Sequence, residues 1–393
     1  MALKLKIPPP ALKLKLSINN FMAQKKVLII YTSGGMGHVT AAKAIFEVFC
    51  SKYPEIETKN INAIDYSNKL FERVFVEGYN LASAKTPKVW GFLYKHFDNQ
   101  RRQKIIKIII KLAVESKLLA YIQKYKPDFI ISTHPLPMQL VSYSTKKNII
   151  DIPSAMVVTD FGCHSLWVDS AVNYYFVAHD IVKKCLAGHG VNPDKIIVSG
   201  IPIEPKFARP QNKTELQKKF NIKPGLPTIL IVGGQLPFAV LKSVINEALS
   251  SVKAQFIVVA GRDKYLEKEL NGWKLGQETP VKVFGFVNNL EELMTVSDMI
   301  FTKAGGLTMS ECLAKNLPII IGKVIPGQEE DNVNFLVAKG AAVKTENTSD
   351  ISRVIINLAN NPEKLSAMKK SCQTLGKPTS AENLVDFVVS KIK

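Results

Sequence analysis

Val27-Leu28-Ile29-Ile30-Tyr31-Thr32-Ser33-Gly34-Gly35-Met36-Gly37-His38 is the stretch that decides the fold. Its first five residues are apolar or aromatic without alternation, the pattern of a strand buried on both faces. Two hydroxyl residues and three glycines follow, and Val39–Cys50 then reads as a helix. A buried strand, a glycine loop and a helix in immediate succession is the opening unit of an α/β, doubly wound parallel sheet. Glycines let the backbone turn tightly and approach a ligand. The helix start offers free N–H groups and the positive end of the helix dipole.

The unit recurs outward along the chain. Ile56–Ala63 reads as a second strand, and a helical region runs to about Tyr125. Short β-branched runs at 128–132, 154–158, 174–177 and 196–198 read as further strands. The pattern breaks at Ile201-Pro202-Ile203-Glu204-Pro205 and then restarts, with strands expected at 228–232, 256–260, 281–284, 299–302 and 318–321. Two Rossmann-like doubly wound domains follow from this, with a ligand cleft between them at the carboxyl ends of the strands. The expected division is 23–203, then 204–375, with 376–393 a terminal helix packing back on the first domain. Residues 1–22 stand apart. Ala-Leu-Lys-Leu-Lys at 2–6 recurs at 11–15 around Pro8-Pro9-Pro10, which cannot form a stable helix. They read as an extension, disordered or a membrane-surface tether, or as a misassigned start with Met22 the alternative.

Composition excludes several classes. Of 393 residues, 46% are hydrophobic and 22% charged, which excludes a disordered or collagen-like chain. No apolar run reaches the roughly 18 to 20 residues of a spanning helix, and no continuous apolar segment marks a secretory signal. The five cysteines (Cys50, Cys163, Cys185, Cys312, Cys372) lack paired spacing, so free thiols in a reducing cytosol are expected, with neither a disulfide scaffold nor a zinc site. The net charge of +19 is uneven. Residues 1–26 hold six lysines and no acid, and residues 85–126 hold eleven Lys/Arg against Asp98 and Glu115. Such an excess suits an anionic surface, nucleic acid or a lipid headgroup plane. Trp90, Phe92 and Tyr94 lie among the cations of 88–97, which favours a membrane interface, where each lysine contributes about 1 kcal/mol. For 103–125 a crossover helix with a solvated basic face fits as well. No recognition-helix, zinc-finger or RNA-binding signature supports nucleic acid.

Three loops carry candidate chemistry. In the first, Gly35 and Gly37 flank the turn and His38 opens the helix, able to serve as a base near neutrality. A plain phosphate cradle also fits the glycines, although it does not need the histidine. The second is Lys303-Ala304-Gly305-Gly306-Leu307-Thr308-Met309-Ser310-Glu311. Gly305 and Gly306 permit approach to a diphosphate, Thr308 offers a hydroxyl, and Glu311 can accept from a ribose diol or be an ordinary helix glutamate. The third, Pro326-Gly327-Gln328-Glu329-Glu330-Asp331-Asn332, suits sugar hydroxyls.

With these loops stand Ser132-Thr133-His134-Pro135, Val158-Thr159-Asp160-Phe161-Gly162-Cys163-His164-Ser165-Leu166-Trp167, Val198-Ser199-Gly200-Ile201-Pro202-Ile203 and Gly285-Phe286. As an ordered set from about Lys26 to the C-terminus, they resemble the GT-B glycosyltransferases of the processive diacylglycerol glucosyltransferase and monogalactosyldiacylglycerol synthase group. The Thr-Asp-Phe and Gly-Ile-Pro-Ile segments separate that group from the related peptidoglycan N-acetylglucosaminyltransferases. The resemblance implies an inverting transfer of a hexose from a UDP-sugar to diacylglycerol, giving a β-glycosyldiacylglycerol. It implies His38 as catalytic base. Phe286 falls at the uracil clamp, Gly305, Gly306 and Thr308 at the diphosphate, Glu311 at the ribose, and Gln328, Glu329 and Asn332 at the donor sugar or its diphosphate. Gly35, Gly37, Asp160 and His164 fall on the acceptor side, with Trp90 and Tyr94 at the membrane. The enzyme would be cytoplasmic and peripheral on the inner face of an anionic cell membrane, with no cofactor, no required metal and no nucleic acid. Two departures stand out. Gly233-Gly234-Gln235-Leu236 has fewer glycines than the family pattern, and Lys303 replaces the paired glutamate of many retaining enzymes. Rival readings are transfer to a polyprenyl-linked cell-wall precursor, and a UDP-sugar sensor without turnover.

Overall fold

The computed structural model describes residues 24–33, 35–67, 117–232, 236–273, 280–322, 324 and 327–392. The extension 1–22, the basic aromatic stretch with Trp90 and Tyr94, and the Gly233–Gln235 loop lie outside the described residues.

The apolar run at the start is β1 (Lys26–Tyr31), paired in parallel on both sides. With β2 (Glu57–Asn62), β3 (Phe129–Ser132), β4 (Ser154–Val157), β5 (Tyr174–Val177) and β6 (Ile196–Val198) it forms a sheet of order β2-β1-β3-β4-β5-β6. The second sheet comprises β7 (Thr228–Val232), β8 (Gln255–Val259), β9 (Val281–Phe284), β10 (Met299–Thr302), β11 (Ile319–Ile321) and β12 (Ala342–Lys344), in the order β12-β11-β10-β7-β8-β9. Every pairing is parallel. The sequence pattern marks all of these strands except β12, whose three residues are too few to show a period.

In the first unit the described helices are α1 (Met36–Lys52), α2 (Pro135–Lys146) and α3 (Asp180–Gly188), beside a helical stretch at 117–125. The second unit carries α4 (Lys213–Lys219), α5 (Phe238–Ser251), α6 (Lys264–Gly272), α7 (Leu290–Val296), α8 (Gly306–Ala314), α9 (Gln328–Ala338), α10 (Thr348–Ala359) and α11 (Pro362–Leu375). The last helix, α12 (Ser380–Ile392), crosses back onto the first. Its buried residues Leu384, Val385, Val388, Val389 and Ile392 form one helical stripe. They join Val27, Ile29, Ala44, Ile45 and Phe49 in one apolar cluster. Each such side chain contributes about 1.5–3 kcal/mol of burial. Lys52 and the Tyr53 hydroxyl hold Asp386 at 2.7 and 2.8 Å, which pins the same helix at its polar edge.

β1 shows why its run is continuous. Val27 and Ile29 belong to that outer cluster, while Leu28 and Ile30 belong to a second one. The second cluster continues through Leu230, Ile257, Ile300 and Ile319 of the other sheet, so the two units share a core. Strand order reverses between β1 and β3 in one sheet and between β7 and β10 in the other. Such switch points open a crevice at the carboxyl ends of the strands.

One expectation is corrected here. Cys163 and Cys185 form a disulfide, while Cys50, Cys312 and Cys372 are free. Cys163 lies in the loop after β4 and Cys185 on the helix after β5, and these strands are neighbours. Their separation of 22 residues in sequence conceals that adjacency.

Candidate active site

His38 is the third residue of α1, placed where the first sheet reverses order. Thr133 follows β3 across the switch point and continues the ladder through its N–H to Ile30, at 3.1 Å. The two residues bond reciprocally. His38 Nδ1–H donates to the Thr133 carbonyl at 2.7 Å, and the Thr133 hydroxyl donates to the His38 carbonyl at 3.0 Å. A carbonyl can only accept, so the proton sits on Nδ1 and the lone pair on Nε2. Among the described residues no hydrogen bond reaches Nε2. Burial lowers the His38 pKa to about 4, against the opposing pull of the Thr133 carbonyl. The imidazole is therefore neutral throughout the physiological range and carries its lone pair on the outer nitrogen.

The neighbouring histidines do different work. His134, His164 and His179 each accept, through Nδ1, the backbone N–H two residues on, at 3.1, 3.0 and 3.4 Å. They cap α2, the short 3₁₀ turn Ser165–Trp167 and α3. His134 stands edge-on to His38, with ring centroids 4.6 Å apart. Burial, then the closeness of the His38 ring, keeps the His134 pKa well below its ordinary value. Gly35 caps α1 from an extended backbone, and Gly37 lies inside its first turn.

The second unit meets this site through the segment after β4. Asp160 is buried, and its Oδ1 accepts from Asn332 Nδ2 at 3.3 Å. The same amide donates to the Ala304 carbonyl at 2.9 Å, and its oxygen accepts the Phe161 N–H at 2.6 Å. Phe161 also stacks on Phe335, 5.3 Å between centroids. Asn332 is wholly buried and ties the two units together. Gly162 and Gly306 permit this approach. A Cβ on Gly162 would overlap the Asp331 side chain, and one on Gly306 would overlap the Thr159 carbonyl oxygen.

Gly305 caps α8 and Gly306 opens it, with no side-chain cap, so the first turn of that helix leaves free N–H groups at the carboxyl end of β10. Thr308 is half-buried within the first turn. Glu311, one turn further, is 6% exposed. Burial, reinforced by the charges of Glu204 and Glu291 and opposed by Lys206, raises its pKa to about 8. Lys206 bridges Glu204 and Glu291, at 3.6 Å to each. Glu311 is thus protonated at neutrality and can both donate and accept. Its stability contribution is full below the unfolded value of about 4.5 and is lost as pH rises through about 8. Glu311→Gln is expected to remove this slope. Between pH 6 and 9 the native Tm should fall by roughly 3–5 °C more than that of the variant. Parallel melting curves across that range would show Glu311 to be ionised in the fold.

Phe286 follows β9 and is 59% exposed, unusual for so large an apolar ring. The Arg262 guanidinium lies 5.4 Å from its centroid. Motif reading does not single out Arg262. Its one local signal is Gly261, which turns the chain after β8 at φ +65°. Glu329 is buried near the start of α9. Gln328 opens that helix, and its side chain lies outside the described residues. A helix N-terminus, an exposed ring beside a guanidinium and a protonated acid together suit a nucleoside diphosphate. Among the described residues, Cys163, Cys185 and His189 bring possible metal-ligand atoms within 4.8 Å of one another, although both sulfurs are engaged in the disulfide.

Residues 38–203 match the family model of monogalactosyldiacylglycerol (MGDG) synthase, and residues 228–384 match the glycosyltransferase family 28 C-terminal domain. The processive diacylglycerol β-glucosyltransferase of Bacillus pumilus is 30% identical over 371 residues, covering 93% of this chain and 95% of the relative. That of Bacillus subtilis is 30% identical over 370 residues with the same coverage. Among solved structures, Acinetobacter baumannii MurG aligns with a TM-score of 0.61 at 14% identity, over 93% of this chain and 99% of its own. Staphylococcus aureus MnaA, solved with UDP, aligns at 0.59 and 12% identity, over 93% and 96%. These likenesses establish the GT-B arrangement of two facing domains. With both domain models matched in order and nearly the whole length aligned, the chain belongs to the glycosyltransferase family of the MGDG synthases and processive diacylglycerol β-glucosyltransferases.

Proposed function

We propose that the chain moves a hexose from a UDP-sugar to the hydroxyl of diacylglycerol, with inversion. The observation that carries this reading is the fixed tautomer of His38, which leaves the Nε2 lone pair available on a residue at the switch point. In a single displacement, Nε2 takes the proton of the acceptor hydroxyl as its oxygen bonds to the anomeric carbon. The bond from that carbon to the β-phosphate oxygen breaks, and its electron pair leaves with UDP. The N–H groups that open α8 stabilise the charge developing on the phosphate. An α-linked donor then gives a β-linked glycolipid.

The remaining roles are assigned on the same reading. Phe286 and Arg262 hold the base, Glu311 the ribose, Gly305, Gly306 and Thr308 the diphosphate, and Gln328 and Glu329 the hexose. Asn332 has its amide engaged at Asp160, Phe161 and Ala304, so it acts by setting the 160–162 loop against the donor domain. Gly35, Gly37, Asp160 and His164 border the acceptor. No bound metal is needed where a helix N-terminus meets the leaving phosphate. The surplus of lysine and arginine in 1–26 and 85–126 holds the enzyme on an anionic bilayer at the cytoplasmic face.

The test combines the purified full chain with diacylglycerol in phosphatidylglycerol vesicles, UDP-glucose or UDP-galactose, and EDTA. Product is read by mass and by the anomeric coupling in its NMR spectrum. A β-hexosyldiacylglycerol is expected in EDTA, with vesicle binding that falls as salt rises. An α-linked product would remove the single displacement. UDP binding without a glycolipid would favour a polyprenyl-linked acceptor or a non-catalytic sensor.

A further inference from the structure

We infer that Thr159 is the positioning residue that couples the facing domain to the His38 base. This rests on the reading of His38 given above.

His38 Nδ1 stands between two oxygens. One is the Thr133 carbonyl at 2.7 Å, and the other is the Thr159 hydroxyl at 3.1 Å. Because the carbonyl fixes the proton on Nδ1, the Thr159 oxygen can only accept from it, as a second anchor for the same N–H. Two anchors restrict the twist of the ring, which is otherwise packed by His134 edge-on and by Trp167 at 6.2 Å. When Nε2 takes a proton, both contacts become charge-assisted and strengthen. They are therefore stronger in the transition state than in the resting enzyme, which is the condition for raising turnover.

The two anchors differ in what holds them. Thr133 is fixed within its own sheet by the ladder bond to Ile30. Thr159 is 5% exposed; on one side the Val158 N–H donates to the Phe176 carbonyl of its own sheet at 2.9 Å, and on the other side Thr159 meets the second domain. Its carbonyl oxygen lies against the Cα of Gly306, the first residue of α8. The two residues that follow it, Asp160 and Phe161, are bonded to Asn332. Thr159 thus touches the base with its side chain and the donor-side helix with its backbone. Separation of the domains would leave Thr133 in place and remove the contacts that fix the chain on the far side of Thr159. The second anchor is then fixed on both sides only when the domains meet, so proton abstraction is favoured when the donor helix has docked. This would limit hydrolysis of the sugar nucleotide in the open enzyme.

The experiment compares the full native chain with Thr159→Val, which keeps the shape and removes the hydroxyl, and with Thr159→Ser, which restores it. In the vesicle assay Thr159→Val is expected to lower kcat about tenfold, with the KM for the UDP-sugar within about twofold. Thr159→Ser should return to within about threefold of native. Combining Thr159→Val with Gly306→Ala should cost less than the product of the single losses. An unchanged kcat in Thr159→Val overturns the inference. So does a serine variant no better than valine, or a fully multiplicative double variant. If the native chain makes no glycolipid, the proposed function fails instead. The inference is then read on the full chain labelled with ¹⁵N-histidine, with the His38 Nδ1–H signal assigned by its loss in His38→Gln. That signal should move in Thr159→Val and return in Thr159→Ser, and a fixed signal overturns the inference.

Discussion

Replacing His38 with alanine is expected to lower glycolipid turnover by a factor of about 10²–10⁴, the usual contribution of a positioned general base. UDP should bind the variant as it binds the native chain, because His38 belongs to the opposite domain. The loss should therefore appear in kcat, with little change in the KM for the donor. His38→Gln should not rescue, since an amide cannot accept a full proton near neutrality. The pH profile supplies a second check. Burial lowers the His38 pKa to about 4, so the basic form persists at every pH above that value. The acid limb of kcat/KM for the native enzyme should fall near 4, well below the ordinary histidine range. An acid limb near 6.5 that vanishes in His38→Ala would mean that the ring is solvated in solution. Turnover within threefold of native in His38→Ala would remove the residue from the chemistry.

Gly306→Ala is expected to be the second most damaging substitution. It changes one methyl group, yet that methyl would fall on the Thr159 backbone carbonyl rather than on a movable side chain. Relief requires the first turn of α8 to back away from the 159–161 segment. Overpacking of this kind costs about 1–3 kcal/mol, or roughly 5- to 150-fold in the population of docked domains. The methyl favours the helix itself, so Tm should change little while kcat/KM for the donor falls by that factor. Gly305→Ala supplies the contrast, because among the described residues its added Cβ would meet only the end of the Lys303 side chain, at 4.0 Å. Equal activity in the two variants would show that α8 does not dock on the first domain during turnover.

Much of this architecture is local and so was legible in the chain. Continuous apolar runs such as Val27–Tyr31 mark strands buried on both faces, and the glycine loops mark where each helix starts. The proline break after Ile201 separates the two repeats. β12 escaped because three residues carry no period. The Arg262–Phe286 pair escaped because it joins the loops after two adjacent strands, 24 residues apart in sequence.

The sequence alone determined the fold class, the doubled sheet and the identities of His38 and Glu311 as residues of interest, because each depends on a short run and its immediate spacing, while Phe286 came from the family resemblance. Tertiary structure decided their states. His38 is neutral because burial disfavours its charge, and its proton sits on Nδ1 because Thr133, 95 residues away, presents a carbonyl to it. Glu311 is protonated because burial and the carboxylates of Glu204 and Glu291 disfavour its charge. Cys163 meets Cys185 because β4 lies beside β5. Asn332 bonds Asp160 and Phe161 across more than 170 residues of chain. Protonation, pairing and hydrogen bonding are set by what lies within a few ångströms, and only the folded chain determines which groups those are.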